Sequence, residues 1–220
     1  MRNNLSVDVA DIIARRIVEG GLPLDSHLNE FDLARELGVS RTPLREALAR
    51  LAAEGLVVAV PRHGFRVQAL TDAELRDLYG MRAVLDPAAL GLAGIPSASA
   101  LRELGALNRR IAAADGDIEL VIDLDDQWHL ALVDACPNRI LLDLIHQYMR
   151  RTRPLERAYM RSEANVRRMT REHDRILAFL RRGDLTEAVN ALQSNMQSGL
   201  EPLLAWRAAQ TDDSALERRR

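Results

Sequence analysis

A mainly α-helical chain, an N-terminal winged helix-turn-helix domain followed by a C-terminal all-helical bundle of six or seven helices, is predicted by three features. Between Leu33 and Val67, two short apolar-periodic stretches flank a Gly-Val-Ser turn and precede two runs rich in β-branched residues. From Thr71 onward, apolar residues recur at three- and four-residue spacing with no strand signal. Aromatic residues make up only 4% of the 220, while Ala and Leu are abundant, which favours packed helices over sheets.

In chain order, Ser6 is placed to cap a first helix whose stripe is Val9, Ile12, Ile13 and Ile17, closed by Gly20, Gly21 and Pro23. Asn29 caps a second helix carrying Leu33, Ala34 and Leu37, and Gly38 ends it. Ser40 caps a third, with Pro43 in the first turn, where a backbone N–H has no intrahelical partner. Leu44, Ala47, Leu48 and Leu51 of that helix face inward, and Gly55 closes it. Val57–Val60 and Phe65–Val67 then flank Pro61-Arg62-His63-Gly64, a hairpin with a basic tip.

Residues 68–70 form a boundary, and Thr71-x-x-Glu74 is a capping-box pattern that starts a new helix. Helices are expected over about 72–93, 98–114, 117–135, 139–151, 155–181 and 184–208. Their breaks are Gly94-Ile95-Pro96, Asp115-Gly116, Pro137-Asn138, Pro154 and Gly183-Asp184, with a further break in the fifth near residues 162–165. Leu120, Leu124 and Leu132 form one inward stripe, and Leu141, Leu144, Ile145 and Tyr148 another. The expected organisation is a winged helix-turn-helix domain over 1–70, an all-helical domain over 71–210, and a polar tail over 211–220.

Composition excludes several classes. Hydrophobic residues at 47% and charged residues at 28% describe a folded domain rather than a disordered chain. The single cysteine, Cys136, permits no intramolecular disulfide and fits a reducing compartment. No apolar run reaches the roughly 18 residues that span a bilayer, and the N-terminus lacks a signal-peptide core. A cytoplasmic location with no membrane partner is expected. The net charge of −2 argues against a generic polyanion binder, but it is unevenly spread. Residues 35–66 carry +3, residues 71–149 carry −7 and residues 150–182 carry +7. The Arg-rich run reads as a helix face that offsets the acids of its own bundle rather than a second nucleic-acid surface.

The third helix has the chemistry of a DNA reader. Arg41 and Arg45 are four residues apart on the face opposite Leu44, Leu48 and Leu51, so they project together. Arg is the commonest side chain to pair bidentately with guanine, while the Ser40 and Thr42 hydroxyls suit phosphate oxygens. The basic tip Arg62-His63-Gly64 fits a minor-groove or backbone contact.

The run LARELGVSRTPLREAL, with the Glu54-Gly55-Leu56 turn and the His63-Gly64 wing, resembles the DNA-binding domain of the GntR family of bacterial transcriptional regulators over about residues 5–68. The resemblance implies double-stranded operator DNA as partner and Ser40, Arg41, Thr42, Arg45, Arg62, His63 and Gly64 as contacts. Phe31 departs from the pattern: some members place a DNA-contacting Arg there, so a contact is lost or replaced.

In the acidic stretch DDQWH, Asp125 and His129 lie one helical turn apart on one face, a spacing that can chelate a divalent metal. Further ligands must come from other helices, where His146 and His173 are available. The segment DDQWHLALVDACPNRIL resembles the effector domain of the FadR-type (FCD) subgroup, with Glu172-His173, Gly183-Asp184 and Ala188 matching later landmarks. That resemblance implies a divalent ion, zinc or nickel, held by an Asp and three His on the floor of a ligand cavity. Asp125, His129 and His173 match three of those positions, and Asn195 stands where the fourth His falls. Asn195 is then a weaker amide ligand or a hydrogen-bonding group for the effector. His146 is a candidate for the cavity wall. Arg82 is a candidate partner for an anionic ligand, with pairing to Asp86 at i,i+4 as the competing role.

The leading expectation is a homodimeric, effector-controlled DNA-binding regulator, a repressor answering to a small carboxylate metabolite. The competing class is a metal-dependent hydrolase or isomerase using Asp125, His129 and His173. It is disfavoured because the sequence holds no HExxH, no nucleophile elbow and no glycine-rich phosphate loop.

Overall fold

The structure, a computed structural model, describes residues 2–18, 21–114, 116–160, 162–205 and 208. The chain divides into two compact units, residues 1–71 and 72–220.

In the first unit, α1 (Arg2–Val18) packs against α3 (Arg41–Ala53), and the short α2 (Glu30–Leu37) lies against α3. α1 begins before Ser6, so Ser6 lies within the helix rather than at its cap. Gly20, expected to help close it, lies outside the described residues; the Leu22 amide bonds back to the Arg16 carbonyl at 3.1 Å. The Asn29 side chain accepts from the Phe31 and Asp32 amides, and Gly38, at φ 65°, ends α2 in the left-handed conformation that favours glycine. Ser40 occupies the N-cap position of α3, but its hydroxyl makes no capping hydrogen bond.

Strands β2 (Val57–Val60) and β3 (Gly64–Val67) pair antiparallel, with Val57 opposite Val67 and Val60 opposite Gly64. A third strand, β1 (His27–Leu28), adds to the other edge of β3. Two residues are too few to show alternation, so only tertiary pairing reveals it. At the wing turn the His63 amide bonds to the Val60 carbonyl at 2.9 Å, with Pro61 and Arg62 between them. Arg62 has φ 64°, an unusual backbone for a residue with a Cβ. Val9, Ile13 and Ile17 of α1 form one core with Leu33, Leu44, Leu48, Leu51, Phe65 and Val67, which fixes the outward face of α3.

The second unit is helical throughout its described residues: α4 (Asp72–Ala93), α5 (Ala98–Ala112), α6 (Ile118–Val133), α7 (Arg139–Tyr159), α8 (Glu163–Arg181) and α9 (Leu185–Ser198). Residues 200–205 are again helical. α4 packs on α9, α7 and α6, while α5 packs on α6 and α8, and α8 on α9. Side chains of Ser97, Asp117, Asn138 and Asp184 accept from amides in the first turns of α5, α6, α7 and α9.

Two expectations for this unit need correction. α7 does not stop before Pro154 but runs to Tyr159. A proline removes one backbone hydrogen bond, and tertiary anchoring offsets that loss here: Arg153 of α7 pairs with both Asp123 and Asp126 of α6. Pro87 is likewise tolerated inside α4, where it is buried. Leu120 and Leu144, expected in the core, are exposed. The tail over 211–220 lies outside the described residues.

Candidate nucleic-acid interface and metal centre

α3 presents Ser40, Arg41, Thr42 and Arg45 on its exposed face, opposite the buried Leu44, Leu48 and Leu51. In the same unit Arg62 and His63 are exposed at the wing turn, and Gly64, half-buried, begins β3. The His63 Nδ1 lies 3.0 Å from the Pro61 carbonyl oxygen, and the His63 carbonyl contacts His27 Nε2, so the turn is braced on both sides. Phe31 is 58% exposed, with the guanidinium groups of Arg35 and Arg41 each 5.9 Å from its ring centroid. The aromatic ring is thus a cation–π platform beside Arg41.

In the helical unit, Asp125 and His129 on α6 and His173 on α8 converge. One ligand atom from each lies within 4.8 Å of the others. His173 Nε2 is 3.4 Å from Asp125 Oδ1, and His129 Nε2 is 3.8 Å from the same oxygen. Both imidazoles are buried. Trp128, wholly buried, stacks on His173 at 3.7 Å with an interplanar angle of 5° and meets His129 edge-on at 5.0 Å.

Asn108 of α5 orients the centre, and its role had no signal in the sequence. Its amide nitrogen donates to the Thr170 carbonyl at 2.9 Å and to Asp174 Oδ1 at 2.8 Å. With both N–H groups used, its Oδ1, 3.1 Å from His173 Nδ1, accepts from that nitrogen. The proton therefore sits on Nδ1, and the Nε2 lone pair points to the Asp125 side.

Electrostatics follow from burial. Desolvation pushes the Asp125 carboxyl well above the usual carboxylate range; Asp126 and Glu156 add to the shift, and Arg82 and Arg153 oppose it. Desolvation, with His173 and Arg82 nearby, holds His129 well below the imidazole range, and desolvation lowers His173 to about 3. Asp126 is raised to about 7 by burial and Glu156 against the pull of Arg153 and Arg82. Both histidines are thus neutral imidazoles, the form that binds metal.

A cavity of about 50 Å³ adjoins the cluster, and Tyr79, Arg82, Asp125, His129, Glu156 and Asn195 are among its walls. Asn195 donates to Glu172 Oε2 at 2.8 Å, which also accepts from the Ser198 hydroxyl at 2.8 Å. Arg82 lines the cavity, yet its guanidinium is held by Asp86 at 3.0 Å and Glu156 at 3.8 Å. Burial alone would lower the Arg82 pKa; the two carboxylates outweigh it and raise the value. His146 is exposed on α7 and is not among the cavity walls, so the structure does not bring it to the site. An i,i+4 or i,i+7 pattern cannot tell which face of a helix meets a cavity until its partners are placed.

A winged helix-turn-helix unit followed by a helical bundle is the architecture of a two-domain bacterial regulatory protein, and the family matches agree with it. Residues 5–67 match the gntR family of bacterial regulatory proteins, and residues 77–198 match the FCD domain. The chain belongs to the GntR family of bacterial transcriptional regulators, in the group that carries an FCD domain. It is similar to the Nta operon transcriptional regulator of Aminobacter aminovorans, 35% identical over 130 residues that cover 57% of this chain and 61% of that protein. It is also similar to the transcriptional repressor GlaR of Escherichia coli, 28% identical over 135 residues covering 58% and 61%. The match therefore spans about three-fifths of the length of each of these relatives. The solved structure of E. coli McbR/YncC superposes with a TM-score of 0.78 at 26% identity, covering 91% of this chain and 97% of that one. The family is one of transcriptional regulators, so the hydrolase or isomerase alternative falls away.

The Arg82 cluster generates a stability prediction. Removing one partner of a buried ion pair leaves an uncompensated charge. Asp86→Ala is expected to cost about 3 kcal/mol, read as a fall in the urea midpoint at unchanged slope. A midpoint equal to that of the wild type would show that Glu156 alone holds Arg82.

Proposed function

We propose that the chain is a homodimeric repressor whose hold on a DNA operator is controlled by a small carboxylate metabolite bound in the helical unit beside a divalent metal. The observation that carries this reading is the pairing of an exposed Arg41–Arg45 face with a buried Asp125–His129–His173 cluster in one chain. The relative GlaR is named as a repressor, which supports that direction of control. Among the described residues no helix is long and apolar enough to cross a membrane.

On the DNA, Arg41 and Arg45 read base edges in the major groove, and Ser40 and Thr42 hold phosphates. The Ser40 hydroxyl, not engaged in capping, suits that task. Arg62, His63 and Gly64 bring the wing to the neighbouring backbone or minor groove.

In the helical unit the donors fit a divalent cation. Asp125 Oδ1, His173 Nε2 and Asn195 Oδ1 are buried polar atoms with no hydrogen-bond partner. Asp125, His129 and His173 would hold the ion, with the Asn195 oxygen as a weaker fourth ligand or an effector contact. Zinc or nickel suits two imidazoles and a carboxylate. When bound, the metal supplies an open position for a carboxylate oxygen. Arg82, already engaged by Asp86 and Glu156, adds positive potential to the cavity rather than a free fork. Effector binding then favours an arrangement of the dimer that no longer matches the operator, through a coupling of about 1–3 kcal/mol.

The dimer reading rests on α4. From Gly80 to Leu92 its exposed positions are Gly80, Met81, Val84, Ala88, Gly91 and Leu92, with no charge among them. Met81 is 40% exposed, Val84 57% and Leu92 54%, an apolar stripe of the kind that marks an association surface. A second copy related by a two-fold axis covers it with the same stripe.

Three measurements test the proposal. Against a duplex selected by the wild-type protein from a random pool, Arg45→Ala is expected to lose roughly 5- to 150-fold in affinity; undiminished binding overturns the reader. Elemental analysis of protein purified without added ion should find metal in the wild type and none in His129→Ala, with Asn108→Ala binding it roughly 10- to 100-fold more weakly. Equal trace metal in all three removes the centre. Val84→Glu combined with Leu92→Glu should sediment as a monomer, and a dimer that persists places the interface elsewhere.

A further inference from the structure

Glu30 opens α2 and sits in the midst of the reading face. Repulsion from phosphates makes a carboxylate costly there. The helix N-terminus accounts for an acid at this position, but not for where its oxygens go. Oε2 lies 3.6 Å from Arg45 Nε, and the Glu30 side chain is only 21% exposed while that of Arg45 is 65% exposed. Oε1 lies 3.1 Å from the point that a Cβ on residue 64 would occupy. Gly64, at φ 78°, has no such atom, so the carboxylate packs against the wing backbone. One side chain therefore touches the recognition helix on one side and the wing on the other.

A guanidinium is planar and has two usable edges: one through Nε, the other across the two terminal nitrogens. A carboxylate on the Nε side leaves the terminal pair as the outward fork, the edge that matches guanine O6 and N7. We infer that Glu30 is a positioning residue for base recognition: it holds Arg45 by its Nε side so that the terminal fork meets guanine. This rests on Arg45 being a base contact, as proposed above. The negative charge lowers affinity for any DNA backbone and sharpens the choice among sequences, a trade of attraction for discrimination.

The test compares wild type, Glu30→Ala, Glu30→Gln and Arg45→Ala by fluorescence anisotropy at fixed salt. Three duplexes are used: the one selected by the wild-type protein, the same duplex with 7-deazaguanine at its guanines, which removes the N7 acceptor, and a random-sequence duplex. Wild type should show a penalty for 7-deazaguanine of roughly 5- to 150-fold. Glu30→Ala should lose most of that penalty, bind the selected duplex more weakly and bind the random duplex more tightly. Glu30→Gln, whose amide oxygen still accepts from Nε, should keep most of the penalty while gaining affinity for random DNA. A full penalty in Glu30→Ala overturns the inference, as does an equal loss on all three duplexes by a folded protein. If Arg45→Ala also keeps the full penalty, the base-contact reading of Arg45 fails instead. Thermal melts monitor folding, and should Glu30→Ala not fold, Glu30→Leu, which keeps the bulk and offers Nε no acceptor, carries the test with the same expected loss of the penalty.

Discussion

The helical unit is organised around charges that it cannot leave alone in a low-dielectric interior. Arg82 is buried on α4, and the carboxylates of Asp86 and Glu156 beside it make that placement tolerable. Glu156 lies on α7 and Asp86 on α4, so the ion cluster staples two helices that also pack against each other. The same cluster sets the local field: Glu156 raises, and Arg82 lowers, the pKa of Asp125 and of Asp126. Arg153 repeats the device on the rim by tying α7 to Asp123 and Asp126 of α6. Ion pairs thus fix Arg82 and Glu156 in the cavity wall.

The DNA-binding unit obeys a different constraint. It has few residues, so most of the described apolar side chains of its helices go into one core, while Ile12, expected in the inward stripe of α1, and Phe31 stay exposed; the polar face of α3 is what remains. Its orientation follows from Leu44, Ala47, Leu48 and Leu51 being buried. Positive φ at Arg62 and Gly64 turns the wing and puts a charged side chain at its tip. A modest charge on this unit is no obstacle to the proposed reading, because phosphate attraction positions a protein on DNA while base contacts specify the sequence.

Much of this was legible in the sequence. The reader was, since caps, periodicity and a basic face agree over one short window. Asp125, His129 and His173 were legible through a helical repeat and a family pattern. The failures have physical causes. Pro154 reads locally as a helix end, but Arg153 anchors the helix from outside. β1 exists only through pairing across 39 residues, His27 with Arg66. His146 carries the right chemistry on the wrong face, and Asn108 looks ordinary until α5 and α8 are side by side. Glu30 resembles a routine first-turn acid until Gly64 is brought up against it.

Trp128 has a consequence of its own. It is wholly buried and lies flat on the imidazole of His173 at 3.7 Å. An indole in such contact senses any change in the electron distribution of the ring beneath it. Trp128 is therefore a built-in chromophore at the Asp125–His129–His173 cluster, and its contribution to the emission reports on the state of His173 without any added label.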